Sequence, residues 1–231
     1  MCARFVFVNG RAVRDQFGAV PLPGLSDFEE YPGSFNLAPT DPVVAIAIRE
    51  GIRGASFYQW GLVPSWANDP SIGQKLINAR SETVAEKPSF RGAFKYRRCL
   101  IPADGFYEWR GSKGNKQPFY IHQPEGRVMA FAGLYETWER MEGYLETVTI
   151  LTTEANREMR ELHDRMPVVL DQRDWDMWLD PSLREPTRLL PLLRPLADGS
   201  LEMYPVGVAV GNPRNEGAEL IARTSTGSLF D

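Results

Sequence analysis

Residues 99–109 read Cys99-Leu100-Ile101-Pro102-Ala103-Asp104-Gly105-Phe106-Tyr107-Glu108-Trp109. Two apolar runs of strand length flank an Asp-Gly pair, and Asp-Gly in that setting is a hairpin signal. The stretch predicts strands over 99–103 and 106–109 joined by a turn. The same pattern repeats outward. Upstream, 3–8, 43–48 and 57–64 read as strands; downstream, 118–121, 128–132, 145–152, 168–170 and 203–210 do so. Polar or Pro/Gly-rich loops are expected around Pro21, Pro23 and Gly24, over 65–73, 110–117 and 211–215. Helical signals are fewer. They cover 154–162, 174–179 and 183–193, the last broken by Pro186 and Pro191. Ser81, Glu82 and Thr83 offer a helix start that Pro88 limits. Strands outnumber helices and do not alternate with them, which predicts an α+β fold rather than βαβ units. No repeat or linker divides residues 1–231, so one domain is expected.

The chain has 231 residues, 43% hydrophobic and 24% charged, the proportions of an ordinary globular protein with a sizeable core. Its net charge of −4 supplies no global field toward nucleic acid, so any DNA contact must come from a local basic patch. One lies over 80–98, where Arg80, Lys87, Arg91, Lys95, Arg97 and Arg98 outnumber Glu82 and Glu86. Its second half interleaves cations with Phe90, Phe94 and Tyr96. That fits either a solvated helix face with its aromatics turned inward or a phosphate-contacting surface. Two cysteines, Cys2 and Cys99, make no disulfide framework and suit a reducing cytoplasm. With two histidines and no CxxC pair, neither a metal site nor a cofactor is expected. No apolar run approaches ~18 residues, so no membrane contact is expected.

The chain opens Met1-Cys2-Ala3-Arg4-Phe5. A small second residue normally allows the initiator methionine to be removed. Cys2 then carries an α-amine and a thiol on adjacent carbons, both titrating not far above neutral pH. Such a 1,2-aminothiol condenses with an aldehyde to a Schiff base and closes to a thiazolidine, which no internal cysteine can do. From the dipeptide alone, Cys2 is equally an incidental early residue. If it heads the strand over 3–8, its terminus is held in the core, as a terminal nucleophile requires.

Three other polar residues stand among apolar neighbours. Asn78 lies between Ile77 and Ala79, where a buried amide needs partners. Glu108 shares a strand face with Phe106, and a carboxylate among aromatics suits a general acid. His163 follows the expected helix and is the usual proton shuttle near neutral pH. Each also has a structural reading: a turn or cap for Asn78, a solvent-facing position for Glu108, a helix end for His163. His122, Trp60, Trp138, Trp175 and Trp178 read as structural.

Several pieces recur in a fixed order along nearly the whole chain. They are Met1-Cys2-x-Arg4-Phe5, Asn36-x-Ala38-Pro39, Trp60-Gly61-x-x-Pro64-x-Trp66 and Ile77-Asn78-Ala79-Arg80-x-Glu82-Thr83. Ala103-Asp104-Gly105-x-x-Glu108-Trp109, His163-Asp164-Arg165-Met166-Pro167 and the late loop with Asn212 and Asn215 complete them. No single piece is diagnostic. The ordered set resembles the SRAP (SOS-response-associated peptidase) family of abasic-site processing proteins.

That resemblance implies mixed, largely antiparallel β-sheets forming a barrel-like core with peripheral helices. It implies a DNA-damage enzyme whose N-terminal cysteine crosslinks covalently to the ring-opened aldehyde of an abasic site in single-stranded DNA. On this chain the nucleophile is Cys2, Asn78 orients and hydrogen-bonds the reacting groups, and Glu108 and His163 move protons. Arg4, Arg80 and Arg165 match phosphate contacts. Pro39 and Trp66 match residues that shape the DNA path, where aromatic stacking suits single strands of any sequence. A lyase step, peptidase action on the chain's own N-terminus, an SOS-type response, a monomer and a cytoplasmic, nucleoid-associated location complete the expectation. Ala3 departs from the family's usual Gly, Ala67 from a second Trp in some members, and Pro88 from a basic residue that Lys87 can replace. Two further functions fit the same residues. One is a general cysteine peptidase with His163 as base. The other is a non-catalytic reader of damaged or modified DNA, which needs the basic and aromatic surface but not the free amine.

Overall fold

The strand-forming runs of the sequence sort into two sheets in the computed structural model, which describes residues 2–22, 31–112, 115–141 and 143–224. The first half of the chain supplies β1 (Phe5–Phe7), α1 (Ala12–Asp15), β2 (Val20–Pro21), β3 (Ser34–Leu37), β4 (Pro42–Arg49), β5 (Ile52–Trp60) and β6 (Asn78–Arg80). Then come α2 (Arg91–Tyr96), β7 (Arg98–Ala103), β8 (Gly105–Ser112), β9 (Asn115–His122), β10 (Met129–Arg140) and β11 (Gly143–Glu154). The last elements are β12 (Arg165–Pro167), α3 (Trp175–Leu179), α4 (Pro186–Leu189) and β13 (Glu202–Pro205).

One sheet has the order β13-β9-β8-β1-β3. In the other, β11, β10, β7, β4 and β5 pair in turn, and β11 returns to pair in parallel with β5. These five strands therefore close into a barrel, which removes exposed sheet edges. Closure accounts for the sequence pattern. Residues 98–103 of β7 and 43–47 of β4 are buried on both faces, one toward the barrel interior and one toward a covering layer, so they read as continuous runs rather than alternations. The five-stranded sheet covers one flank. Phe5 of β1 meets Trp60 edge-on at 5.2 Å and Phe131 at 6.0 Å, and Phe106 of β8 meets the same Phe131 at 6.0 Å. The α+β class and the barrel-like core with peripheral helices are thus as expected.

Three local expectations change. Asp104-Gly105 does not make a hairpin: β7 belongs to the barrel and β8 to the flanking sheet, so the pair is the corner where the chain changes sheets. The Asp104 carboxylate accepts the backbone N–H groups of Val8 (2.6 Å) and Asn9 (3.2 Å), which ends β1. Gly105 is required by packing, since a Cβ there would lie 2.3 Å from the Tyr120 ring. The helix expected over 154–162 is one 3₁₀ turn, Met159–Glu161, started by Asn156 Oδ1 on the Met159 N–H. Residues 81–90 form turns, with regular helix only from Arg91. The loop expected over 110–117 is the end of the β8–β9 hairpin on both sides of 113–114. Met1, Pro23 and Gly24 lie outside the described residues.

Removing the Asp104 carboxylate orphans two N–H groups at a half-buried corner. Asp104→Ala is expected to destabilise the fold by about 1–3 kcal/mol, and Asp104→Asn, which keeps an acceptor oxygen, by less. Urea unfolding curves of the two variants check this; equal losses contradict it.

Candidate active site

Cys2 precedes β1, and the ladder to β8 continues past Phe5 through the Tyr107 N–H on Arg4 O at 3.0 Å. That register brings Glu108, the next residue of β8, alongside the start of the chain. Cys2 is fully buried and Glu108 is 4% exposed. Among the described residues the thiol hydrogen-bonds only the Arg4 carbonyl, at 3.7 Å. Burial pushes the Cys2 thiol well above its ordinary value, and the negative charge of Glu108 pushes it further.

Asn78 arrives from the barrel side. Its strand β6 adds to β11 in parallel, with Asn78 opposite Ile150 and Arg80 opposite Thr152. Asn78 Nδ2 donates to the Cys2 carbonyl at 2.8 Å, which fixes the backbone at residue 2. Its Oδ1 is buried and accepts no hydrogen bond from the described residues. An orphaned buried acceptor costs about 1–3 kcal/mol, so this one is a place for an incoming donor.

His163 stands between the 3₁₀ turn and β12, which pairs with the end of β11 through Thr152 opposite Pro167 and Glu154 opposite Arg165. Both β6 and β12 therefore converge on residues 150–154 of β11. His163 Nδ1 accepts the Arg165 backbone N–H at 2.9 Å, so the ring proton of the neutral form sits on Nε2, a donor. No hydrogen bond among the described residues joins the ring to Cys2 or Asn78.

The arginines differ in their freedom. The Arg80 side chain is exposed and makes no hydrogen bond or ion pair with a described residue. Arg165 is held by Glu82 in a two-point ion pair (2.5 and 2.9 Å) and donates to Thr152 O at 2.6 Å. Arg4 donates to Asn36 Oδ1 (2.9 Å) and to the carbonyls of Val210 (3.0 Å) and Gly211 (3.4 Å). Asn36, 1% exposed, in turn donates to the carbonyls of Asn212 (3.0 Å) and Asn215 (2.9 Å). Asn36 is thus the hub that clamps the late loop to the start of the chain. Its polar side chain between Phe35 and Leu37 was the available signal. Glu82 as the partner of Arg165 left no signal beyond its place in the ordered pieces.

Pro39 is half-buried in a tight turn closed by the Ala38 N–H on Asp41 Oδ2 and the Thr40 N–H on Trp60 O. Thr40 has φ of 79°, the left-handed region that a β-branched residue rarely adopts, and such strain concentrates at functional sites. Trp66 is 58% exposed on the next loop, which Trp138 anchors by donating Nε1–H to Ala67 O at 2.8 Å. Among the described residues no group of three His, Cys, Asp or Glu could hold a metal, and no helix is long and apolar enough to cross a membrane.

Both thiols give a stability prediction. Burial raises Cys2 and Cys99 alike. Above the ordinary thiol value of about 8.5 the unfolded chain loses protons that the folded chain keeps, so stability is full below that pH and declines above it. The expected slope is up to about 1.4 kcal/mol per pH unit for each thiol. Tyr58, Tyr107 and Tyr120, also raised by burial, steepen the decline above their own ordinary value. Denaturant titrations across this alkaline range test it; a flat profile contradicts it.

Residues 1–213 match the family described as SOS response associated peptidase (SRAP). The abasic site processing protein YoaM of Bacillus subtilis is 41% identical over 223 residues, covering 96% of this chain and 97% of its own. The abasic site processing protein HMCES of Xenopus tropicalis is 31% identical over 243 residues, covering 90% of this chain and 72% of its own. A crystal structure of a protein from Bacteroides thetaiotaomicron superposes with a TM-score of 0.84 at 26% identity, covering 96% of this chain and all of that one. The family match over most of the chain, on a barrel fold shared with a solved structure, means that this protein belongs to the SRAP family, whose relatives named here are abasic site processing proteins.

Proposed function

We propose that this chain, once Met1 is removed, forms a thiazolidine between Cys2 and the ring-opened aldehyde of an abasic site in single-stranded DNA. The observation that carries the reading is the Asn78 hydrogen bond to the Cys2 carbonyl, beside a buried thiol in the field of Glu108. The order of steps follows from that electrostatics. A thiol held protonated is a poor first nucleophile, so the α-amine attacks the aldehyde carbon. The carbinolamine then loses its hydroxyl as water, with His163 Nε2–H hydrogen-bonded to the departing oxygen and the proton drawn from solvent, leaving an iminium. The sulfur adds to the iminium carbon while Glu108 takes the thiol proton. One C–N and one C–S bond form and one water leaves. Asn78 Oδ1 accepts the N–H of the reacting nitrogen. Positioned proton-transfer groups contribute roughly 10²–10⁴-fold each.

Arg80, exposed two residues from Asn78, suits a phosphate, and the exposed Trp66 suits base stacking. Arg165 reaches a phosphate by exchanging it for Glu82, and Arg4 acts through Asn36 and the late loop. A lyase step and removal of the chain's own Met1 draw on the same groups. The raised thiol counts against a general cysteine peptidase, which needs a thiolate near neutral pH. The test is a denaturing gel of Met1-free protein, verified by intact mass, with a single-stranded oligonucleotide carrying one abasic site. A heat-resistant shifted band is expected, and its absence overturns the reading.

A further inference from the structure

The basic patch over 80–98 divides in the fold. Arg98 is buried, and Arg97 pairs with Glu136 at 2.8 Å. Lys87, Arg91 and Lys95 stay exposed. The Arg91 N–H bonds Lys87 O, a single turn that sets Lys87 next to the start of α2. Arg91 and Lys95, four apart on α2, share one helix face and form a row with a spacing of about 6 Å, with Lys87 one turn before it. Beside the row is a groove of about 390 Å³ lined by Arg91, Lys95, Tyr96, Arg184 and Pro186 among others. Tyr96 gathers its cations: Lys95 Nζ lies 5.4 Å and the Arg184 guanidinium 5.0 Å from the ring centroid. No carboxylate lines the groove. The neighbouring Glu185 is turned onto the Arg184 backbone N–H, at 3.2 Å.

We propose that this groove is a track for the phosphodiester backbone of the DNA strand that continues past Arg80 from the reaction centre. The proposal rests on the function read above for its direction, because the turns over 80–90 join the groove to Arg80 and Asn78. Charge selects the occupant. Converging cations without a lining carboxylate suit a polyanion, and their spacing is comparable to that of successive phosphates on an extended strand. The chain as a whole is negative, so this local row is where a flanking strand finds attraction.

Each phosphate contact adds about 0.7 to the slope of log affinity against log salt on a single strand. The triple variant Arg91→Gln, Lys95→Gln, Arg184→Gln is therefore expected to lower the slope for a long undamaged single strand by about 2, with affinity down roughly tenfold or more. Lys95→Gln alone lowers it by about 0.7. A strand too short to leave the reaction centre shows no such change. The substituted side chains are exposed, and thermal melting confirms that each variant folds. An unchanged slope on the long strand overturns the groove, as does an equal loss on both lengths. A wild-type chain that forms no crosslink, with the long-strand slope still falling by about 2, refutes the proposed chemistry and leaves the groove standing as a DNA track.

Discussion

Replacing Cys2 with alanine is expected to remove the heat-resistant DNA–protein band proposed above entirely while leaving the chain folded. Cys2 is fully buried, but alanine keeps its Cβ and its sulfur makes only one weak hydrogen bond among the described residues, so its loss costs on the order of 1 kcal/mol against a typical stability of about 5–15. The chemistry is affected far more. The variant keeps its α-amine and the Asn78 contact to the residue-2 carbonyl, so it still condenses with an aldehyde. Without sulfur the iminium has no internal nucleophile, and water reverses it. Borohydride therefore traps a band in the variant that heating removes when no reductant is added. The native chain gives its band without reductant. A Cys2→Ala band that survives heating unreduced would falsify ring closure through sulfur.

Arg98→Ala lowers the unfolding free energy by about 3–5 kcal/mol, the largest loss expected from one exposed-looking cation in the sequence. Arg98 is 3% exposed. Its guanidinium donates to Trp178 O (2.6 Å), Phe94 O (2.8 Å), Lys95 O (2.9 Å), Leu183 O (2.9 Å) and Asp180 O. These carbonyls belong to the last turns of α2 and α3 and the loop after α3, groups that a helix cannot satisfy for itself. A cation at two helix C-termini also meets their negative ends. Burial lowers the guanidinium to about 10, so above that pH the folded chain gives up a proton that the unfolded chain keeps, and this group opposes the alkaline decline expected from the thiols. Arg98→Lys recovers less than half the loss, because one compact ammonium cannot span this set of acceptors. Urea unfolding with unchanged m-values checks both; an alanine loss below about 1 kcal/mol contradicts the capping role.

The residue pattern made the strands legible, because a strand buried on one or both faces writes its burial into consecutive residues. It did not reveal pairing. Asp104-Gly105 carried a hairpin signal, yet β7 and β8 part into different sheets, since Asp104 is used to end β1 and Gly105 to admit Tyr120. The helix expected over 154–162 shrank to one turn because the Ala155 N–H is tied to Asp164 O at the β11–β12 junction instead.

At the site, residue chemistry pointed to Cys2, and the ordered pieces pointed to Asn78, Glu108 and His163. The fold brings Asn78 onto Cys2 and sets Glu108 beside it, while His163 reaches the same end of β11 on a separate strand. What the sequence determined by itself was the α+β class and the aminothiol chemistry available at residue 2, because both depend on local pattern and on the identity of single residues. Only the tertiary structure decided which cations are free. Arg98, Arg97, Arg165 and Arg4 are indistinguishable from Arg80, Arg91 and Lys95 by type. They are tied up by Asp180, Glu136, Glu82 and Asn36, partners mostly distant in the chain that sheet pairing and barrel closure bring within hydrogen-bonding reach.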